Sequence, residues 1–190
     1  MNDIKNNTDI EKLDTKIENS EKSVKAYQYF IIRLIIFILV LWILFFQVIG
    51  IIRMPTEDMY PRIDLGDTLL IYRLDKNVAD QDIIVIEKET PDSEGKKNMY
   101  VLRVIATEGD TVEITEDRLL INGHAVIESN IFYETFRYDG FTEYPITLGK
   151  DECFVLADRR NGGEDSRYFG IVNKKDIVGT VITIVRRSKL

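Results

Sequence analysis

Cysteine, histidine and tryptophan occur once each among the 190 residues, and proline four times. The single Cys153 cannot close an intramolecular disulfide, and its neighbours Phe154, Val155 and Leu156 mark it as a small buried strand residue. The one histidine, His124, follows Asn122-Gly123, a hairpin-turn pair, and reads as an exposed turn-flanking side chain. Without a second histidine or cysteine there is no ligand set for zinc, so neither a metal nor a cofactor is expected. Positive charge is also short: 25 Lys and Arg stand against 32 Asp and Glu, a net charge of −7. That balance provides no broad positive field for a polyphosphate backbone, and nucleic acid is not an expected partner. Internal repeats, low-complexity tracts and, beyond residue 67, long amphipathic helices are missing too.

What the chain does have is one long apolar run. From Phe30 to Ile52 it reads FIIRLIIFILVLWILFFQVIGII, interrupted only by Arg33, Gln47 and Gly50. At about 1.5 Å per helical residue this spans roughly 30 Å, the thickness of a bilayer core. A transmembrane helix over 29–52 is expected, in contact with membrane lipid through residues 30–52. Arg33 can snorkel near one end, with Tyr27, Tyr29 and Trp42 as candidate interfacial anchors. A secretory leader would have a shorter apolar segment and then a small-x-small cleavage site, whereas Arg53-Met54-Pro55 follows here, so the segment is expected to stay attached. Lys22, Lys25 and Arg33 lie on one side and Arg53, Arg62 and Arg73 on the other, which leaves orientation open on charge alone. Residues 1–28, a mixture of lysines and acids, read as a solvated polar tail, in which Ile4, Ile10, Leu13 and Ile17 have the spacing of a short amphipathic helix.

Residues 53–190 change character. Short runs rich in Ile, Val and Tyr alternate with Gly, Asp, Asn and Pro clusters, the pattern of a mainly β domain. Expected strands are Thr68–Leu74, Ile83–Glu89, Met99–Ile105, Thr111–Ile114, Arg118–Ile121 paired with His124–Ile127, Cys153–Leu156 and Asp176–Val185. The charged loop Pro91–Lys97 and an aromatic insertion, Phe132–Tyr144, interrupt the series. Such crowding of aromatics is either a satellite core under a long loop or a contact surface.

Four stretches stand out: Asp58-Met59-Tyr60-Pro61, Leu65-Gly66-Asp67, Tyr100-Val101-Leu102-Arg103-Val104-Ile105, and Ala157-Asp158-Arg159-Arg160-Asn161-Gly162-Gly163-Glu164-Asp165-Ser166-Arg167. In this order behind a membrane helix they resemble type I signal peptidases over residues of about 30 to 185. The resemblance implies a signal-peptidase-like β-sheet domain behind one N-terminal transmembrane helix. Where that family has its serine nucleophile this chain has Asp58, where it has the general-base lysine this chain has Leu102, and a lysine-orienting serine falls at Gly163. The family's hydroxyl donor to the oxyanion falls at Thr56. Arg103 with Asp158, and Asp165 with Arg167, match its structural ion pairs.

The chemistry follows from those residues. A serine attacks an amide only with a base beside it, and Leu102 has no atom that accepts a proton. Asp58 attacking an amide would form an anhydride that the leaving amine reverses. Arg103 keeps its proton and, one residue along a strand, points to the opposite face. No catalytic residue is therefore expected, and Thr56, Asp58, Met59, Pro61 and Leu102 are the expected substrate-binding residues. The resemblance extends to accessory proteins of Gram-positive bacteria that carry an aspartate for the serine and assist sortase-dependent pilus assembly. It implies a non-catalytic chaperone of exported preproteins or pilin subunits, working with sortase machinery, its amino end cytoplasmic and its β domain extracellular. An active signal peptidase with altered residues is the alternative, and an interaction module using Phe132–Tyr144 a third.

Overall fold

The computed structural model describes residues 2–116, 118–128, 131–139 and 141–186, with the backbone alone for 2–15 and 17–19. The first unit, which ends at Phe46, lies within one helix, α1 (Asn2–Val48). Residues 1–49 contain neither glycine nor proline, so nothing in the chain interrupts the i→i−4 ladder. The polar segment expected as a tail is thus helical from Asn2, and the side chains of Ile4, Ile10, Leu13 and Ile17 lie outside those described. Within α1, Ser20–Val48 is long and apolar enough to cross a membrane, with a mean hydropathy of 2.8, consistent with a membrane anchor. Its carboxyl end falls four residues short of the expected boundary. Ile49–Arg53 is strand β1, because β-branched residues around Gly50 pair with the next strand instead of continuing the helix.

The second unit, residues 47–190, is mainly β. After β1 come β2 (Thr68–Tyr72), β3 (Ile83–Glu89), β4 (Lys97–Ala106), β5 (Thr111–Ile114), β6 (Leu119–Ile121), β7 (His124–Ala125), β8 (Ile146–Thr147) and β9 (Glu152–Leu156). A single helical turn, α2 (Ser166–Phe169), leads to β10 (Val172–Asn173) and β11 (Ile177–Val185). One sheet runs β1-β2-β11-β3-β4-β9-β10 and the other β7-β6-β5-β8, with antiparallel pairs throughout. Of the expected strands, β3 and β5 have the boundaries read from the sequence. The two-residue strands β8 and β10 and the edge strand β1 were not expected, being too short, or too much like a helix end, to register as a pattern.

The register of β3 on β4 sorts the core. Ile84 opposes Leu102 and Val85 opposes Val101, and alternate residues face opposite sides of the sheet. Ile84, Ile86, Leu102 and Val104 join Cys153, Val155 and Ala157 in one cluster. Val85 and Val101 join Leu69, Ile71, Met54, Met59 and Ile63 in another. A third holds Ile105, Val112, Ile114, Leu148, Phe154 and Leu156, where the β5–β6 sheet meets β9. Cys153 is buried, its thiol pushed up to about 12 by loss of solvation, so it stays protonated and inert at neutral pH. His124 is exposed beside the turn, where Asn122 and Gly123 both have positive φ.

Gly179 sits where β11 runs close to β2: a Cβ there would lie 2.6 Å from the Tyr72 carbonyl oxygen, a backbone atom that cannot swing aside. Gly179→Ala is expected to destabilise the β domain by about 1–3 kcal/mol. At roughly 2–4 °C per kcal/mol, thermal unfolding followed by circular dichroism in detergent should show a midpoint several degrees lower.

Candidate functional site

The loop between β1 and β2 is built to hold one residue out. Its base is closed by two backbone bonds, Met54 N–H to Asp67 O at 2.8 Å and Gly66 N–H to Met54 O at 3.0 Å. Gly66 turns the chain there with φ of +85°, a conformation that penalises any side chain. From inside, Met54, Met59 and Ile63 are buried against Val85 and Val101. Asp64 N–H donates to the Asp67 carboxylate at 3.0 Å, closing the Leu-Gly-Asp turn. Pro61 is exposed after a cis peptide bond, and Asp58 is left half-buried at the crest.

Asp58 meets the 157–167 segment. Its carbonyl accepts the Arg159 N–H at 2.8 Å, and a Cβ placed on Gly163 would lie 3.5 Å from Asp58 Oδ1. Thr56 Oγ1 donates to Asp58 Oδ2 at 2.5 Å. The Asp58 carboxyl is held above its usual range, chiefly by burial; the Thr56 bond opposes this, Asp165 and Glu164 add to it, and Arg159 opposes it. A cavity of about 320 Å³ opens here, lined by Thr56, Asp58, Asn98, Met99, Tyr100, Gly162 and Glu164.

Leu102 and Met59 are not among those lining residues. Each is fully buried: Leu102 with Ile84, Val104 and Ala157, Met59 beneath its own loop. Both pack in the interior, and neither has exposed surface in this structure. Met99 and Tyr100, shortly before Leu102 in sequence, line the cavity. Gly163 is packed against Ala157, whose Cβ would lie 2.5 Å from a Cβ at 163, so a serine there requires the segment to shift.

The 157–167 segment is held by buried charge. Asp165 is fully buried; its two oxygens accept Ala157 N–H at 3.0 Å, Arg167 N–H at 3.0 Å, and Arg167 Nε and Nη2 at 2.9 and 2.7 Å. Arg103 forms a fork on Asp158 at 2.7 and 2.6 Å and donates to Gln81 O at 3.0 Å. Ser166 is also fully buried, its Oγ accepting Val155 N–H at 3.0 Å, a bond that ties α2 to β9.

Other residues of the site escaped the sequence reading. Arg160 is buried and donates to Ala157 O, Thr135 Oγ1 and Glu128 Oε1 at 2.7, 2.6 and 2.7 Å. The aromatic insertion divides: Tyr138 lies 4.3 Å under the Arg167 guanidinium and donates from its hydroxyl to Gly163 O at 3.1 Å, while Phe132 is three-quarters exposed. Tyr100 donates to Glu164 at 2.8 Å, and Arg159 pairs with Glu57 at 2.6 Å. Apart from the Arg160 bond to Ala157 O, these partners are far apart in sequence, and no local spacing announces them.

Among the described residues no group of histidine, cysteine and carboxylates is arranged to hold a metal. Asp158 is engaged by Arg103, and Asp67 accepts the Asp64 N–H.

Comparison with known proteins identifies this architecture. Residues 22–186 match the family model described as signal peptidase, peptidase S26, and the chain belongs to that family. It is 33% identical over 135 residues to signal peptidase I P of Bacillus subtilis subsp. natto, covering 65% of this chain and 69% of that one. To the inactive signal peptidase IA of Staphylococcus aureus strain COL it is 27% identical over 164 residues, covering 83% of this chain and 90% of the relative. A crystal structure of a signal peptidase I from Enterococcus faecalis V583 shares 27% identity at a TM-score of 0.43, covering 56% of this chain and 97% of that one.

Two outcomes follow from the geometry. A carboxyl whose folded-state pKa is raised lowers stability as pH climbs from its unfolded pKa through its folded one, and the penalty is complete above both. Asp58→Asn keeps an oxygen for Thr56 and removes that penalty, so the variant should unfold at a higher temperature than the parent at pH 7. The gap should close as pH falls below about 3.8, the ordinary aspartate value. Asp165→Asn, by contrast, leaves the buried Arg167 uncompensated and should cost about 3–5 kcal/mol in chemical denaturation.

Proposed function

We propose that this chain is a membrane-anchored signal peptidase homologue that binds exported polypeptides without cutting them. The observation that carries this reading is the pairing of Asp58, a half-buried carboxylate engaged by Thr56, with Leu102, fully buried among hydrocarbon. By resemblance these positions are those of the nucleophile and the general base. The Thr56 hydroxyl, a donor to the oxyanion in the family pattern, is spent on Asp58. In a hydrolase triad, loss of the nucleophile or base alone costs about six orders of magnitude, and the losses do not add.

The cavity beside Asp58 is open, and the segment forming one side of it is held by the buried Asp165–Arg167 and Arg103–Asp158 pairs. A body so maintained, without reactive groups, suits holding or positioning a client at the membrane. Exported preproteins are the substrates that the family suggests. Pilin subunits in sortase-dependent assembly are the clients we infer from the likeness to the pilus accessory proteins. The amino end would then lie in the cytoplasm and the β domain outside. The 27% identity to a staphylococcal protein called inactive, over most of both chains, supports the non-catalytic reading. The 33% identity to a Bacillus signal peptidase keeps an active enzyme as the alternative.

Purified full-length protein in detergent is expected to leave a preprotein intact where an ordinary signal peptidase cleaves it after a small-x-small motif. Cleavage by the parent protein that disappears in Asp58→Ala would overturn the proposal. In cells, a photocrosslinker at the exposed Tyr60 should capture exported proteins; pilins among them would carry the narrower reading.

A further inference from the structure

We infer that the cleft beside Asp58 selects a client segment bearing a basic side chain, and that Glu164 is the residue that sets this preference; the inference rests on the binding reading above. Of the residues lining the cavity, Thr56, Asp58, Asn98, Met99, Tyr100 and Glu164 carry the argument. Two of its hydroxyl donors are already committed, Thr56 to Asp58 at 2.5 Å and Tyr100 to Glu164 at 2.8 Å. Each carboxylate keeps further lone pairs, and no lysine or arginine is among the lining residues. Arg159, whose charge reaches Asp58, has its guanidinium on Glu57 at 2.6 Å. Met99 supplies a partly exposed apolar wall. A methylene stem along such a wall with an ammonium between two carboxylates satisfies both parts of this lining.

An uncharged side chain in the same place is a poorer occupant. It would strip water from Asp58 and Glu164 without replacing the lost hydrogen bonds, and the cost falls on groups that a cation would have engaged. Asp58 already shows the strain of partial burial beside Glu164 and Asp165, with its carboxyl held above the usual range. A basic side chain relieves that repulsion. Selection here is therefore by charge at the position where the family pattern has a nucleophile.

The test uses the full-length protein in a neutral detergent and two sets of fluorescein-labelled ten-residue peptides, identical except for lysine or norleucine stepped through the central positions. Fluorescence anisotropy should show, at one position, lysine binding tighter than norleucine by about tenfold or more, the scale of one well-placed charge pair. In Glu164→Gln, which keeps an acceptor for Tyr100, the ratio should fall below about threefold on the same ground. Asp58→Asn should lower it as well. Glu116→Gln, an exposed change that removes the same charge on the β5–β6 turn, should leave the ratio as it was. Equal binding of lysine and norleucine peptides overturns the inference and leaves the binding reading standing, as does a preference that persists in Glu164→Gln. Failure of both sets to bind overturns the two together.

Discussion

The pair Asp165–Arg167 is buried to the last atom of both side chains, and the rest of the site depends on it. Removing two charges from water costs several kcal/mol each, recovered only where every donor and acceptor is met. That condition is fulfilled by backbone as much as by side chain. Asp165 takes the Ala157 and Arg167 amides, and Arg167 returns a bond to Arg160 O at 2.8 Å and one to Phe136 O at 3.2 Å. The pair thus fixes the path of the chain from Ala157 to Arg167, and with it Gly163 beside Asp58. Arg160 extends the same network to Thr135 and Glu128, so the insertion after β7 is tied to the segment instead of lying loosely over it.

The Asp58 loop is held by a different means. Hydrophobic packing of Met54, Met59 and Ile63 and two backbone bonds at its base do the work that charge does across the cleft. The Arg159 amide on the Asp58 carbonyl, the Glu57–Arg159 pair and the Gly163 approach join the two sides. The Asp58 carboxylate makes no hydrogen bond or ion pair among these; it takes part only through Oδ1, which lies 3.5 Å from a Cβ built at 163. The side chain at 58 is therefore separable from the structure that presents it, and a change of chemistry there need not disturb the fold.

How far the sequence told this in advance depends on the range of each interaction. Period-2 alternation is local, so β3 and β5 were readable with their ends; the ordered motif boxes placed Asp58, Leu102, Gly163 and both Arg–Asp pairs. The apolar run overshot because Ile49–Ile52 looks the same as a helix end or as a strand until its partner, Leu69–Tyr72, is known. A motif gives position along the chain, not how deep a side chain sits. Tyr100 and Leu102 take the same face of β4 and join one cluster, but Leu102, opposite Ile84, is inside it, whereas Tyr100, nearer the start of the strand, sends its hydroxyl to Glu164 at the cavity. Arg160, Tyr138 and Glu164 were invisible for the reverse reason, their partners lying 25, 25 and 64 positions away.

The packing of Gly163 bears on how readily the side chains at such a site are exchanged. In the resemblance three positions distinguish this chain, and the third is coupled to a residue outside the motif: Ala157, whose methyl occupies the room that a side chain at 163 would take. Ala157 is also the residue whose amide and carbonyl are held by Asp165 and Arg160 at 3.0 and 2.7 Å, so it cannot move without loosening the buried network. Leu102 shares its cluster. An ammonium brought to 102 would enter that hydrocarbon with no partner at 163 to receive it, and desolvation would then favour its neutral form at the expense of stability. Position 58 can change alone, but 102, 157 and 163 are bound to one another through the core, and the charge network that keeps the cleft open also keeps that arrangement in place.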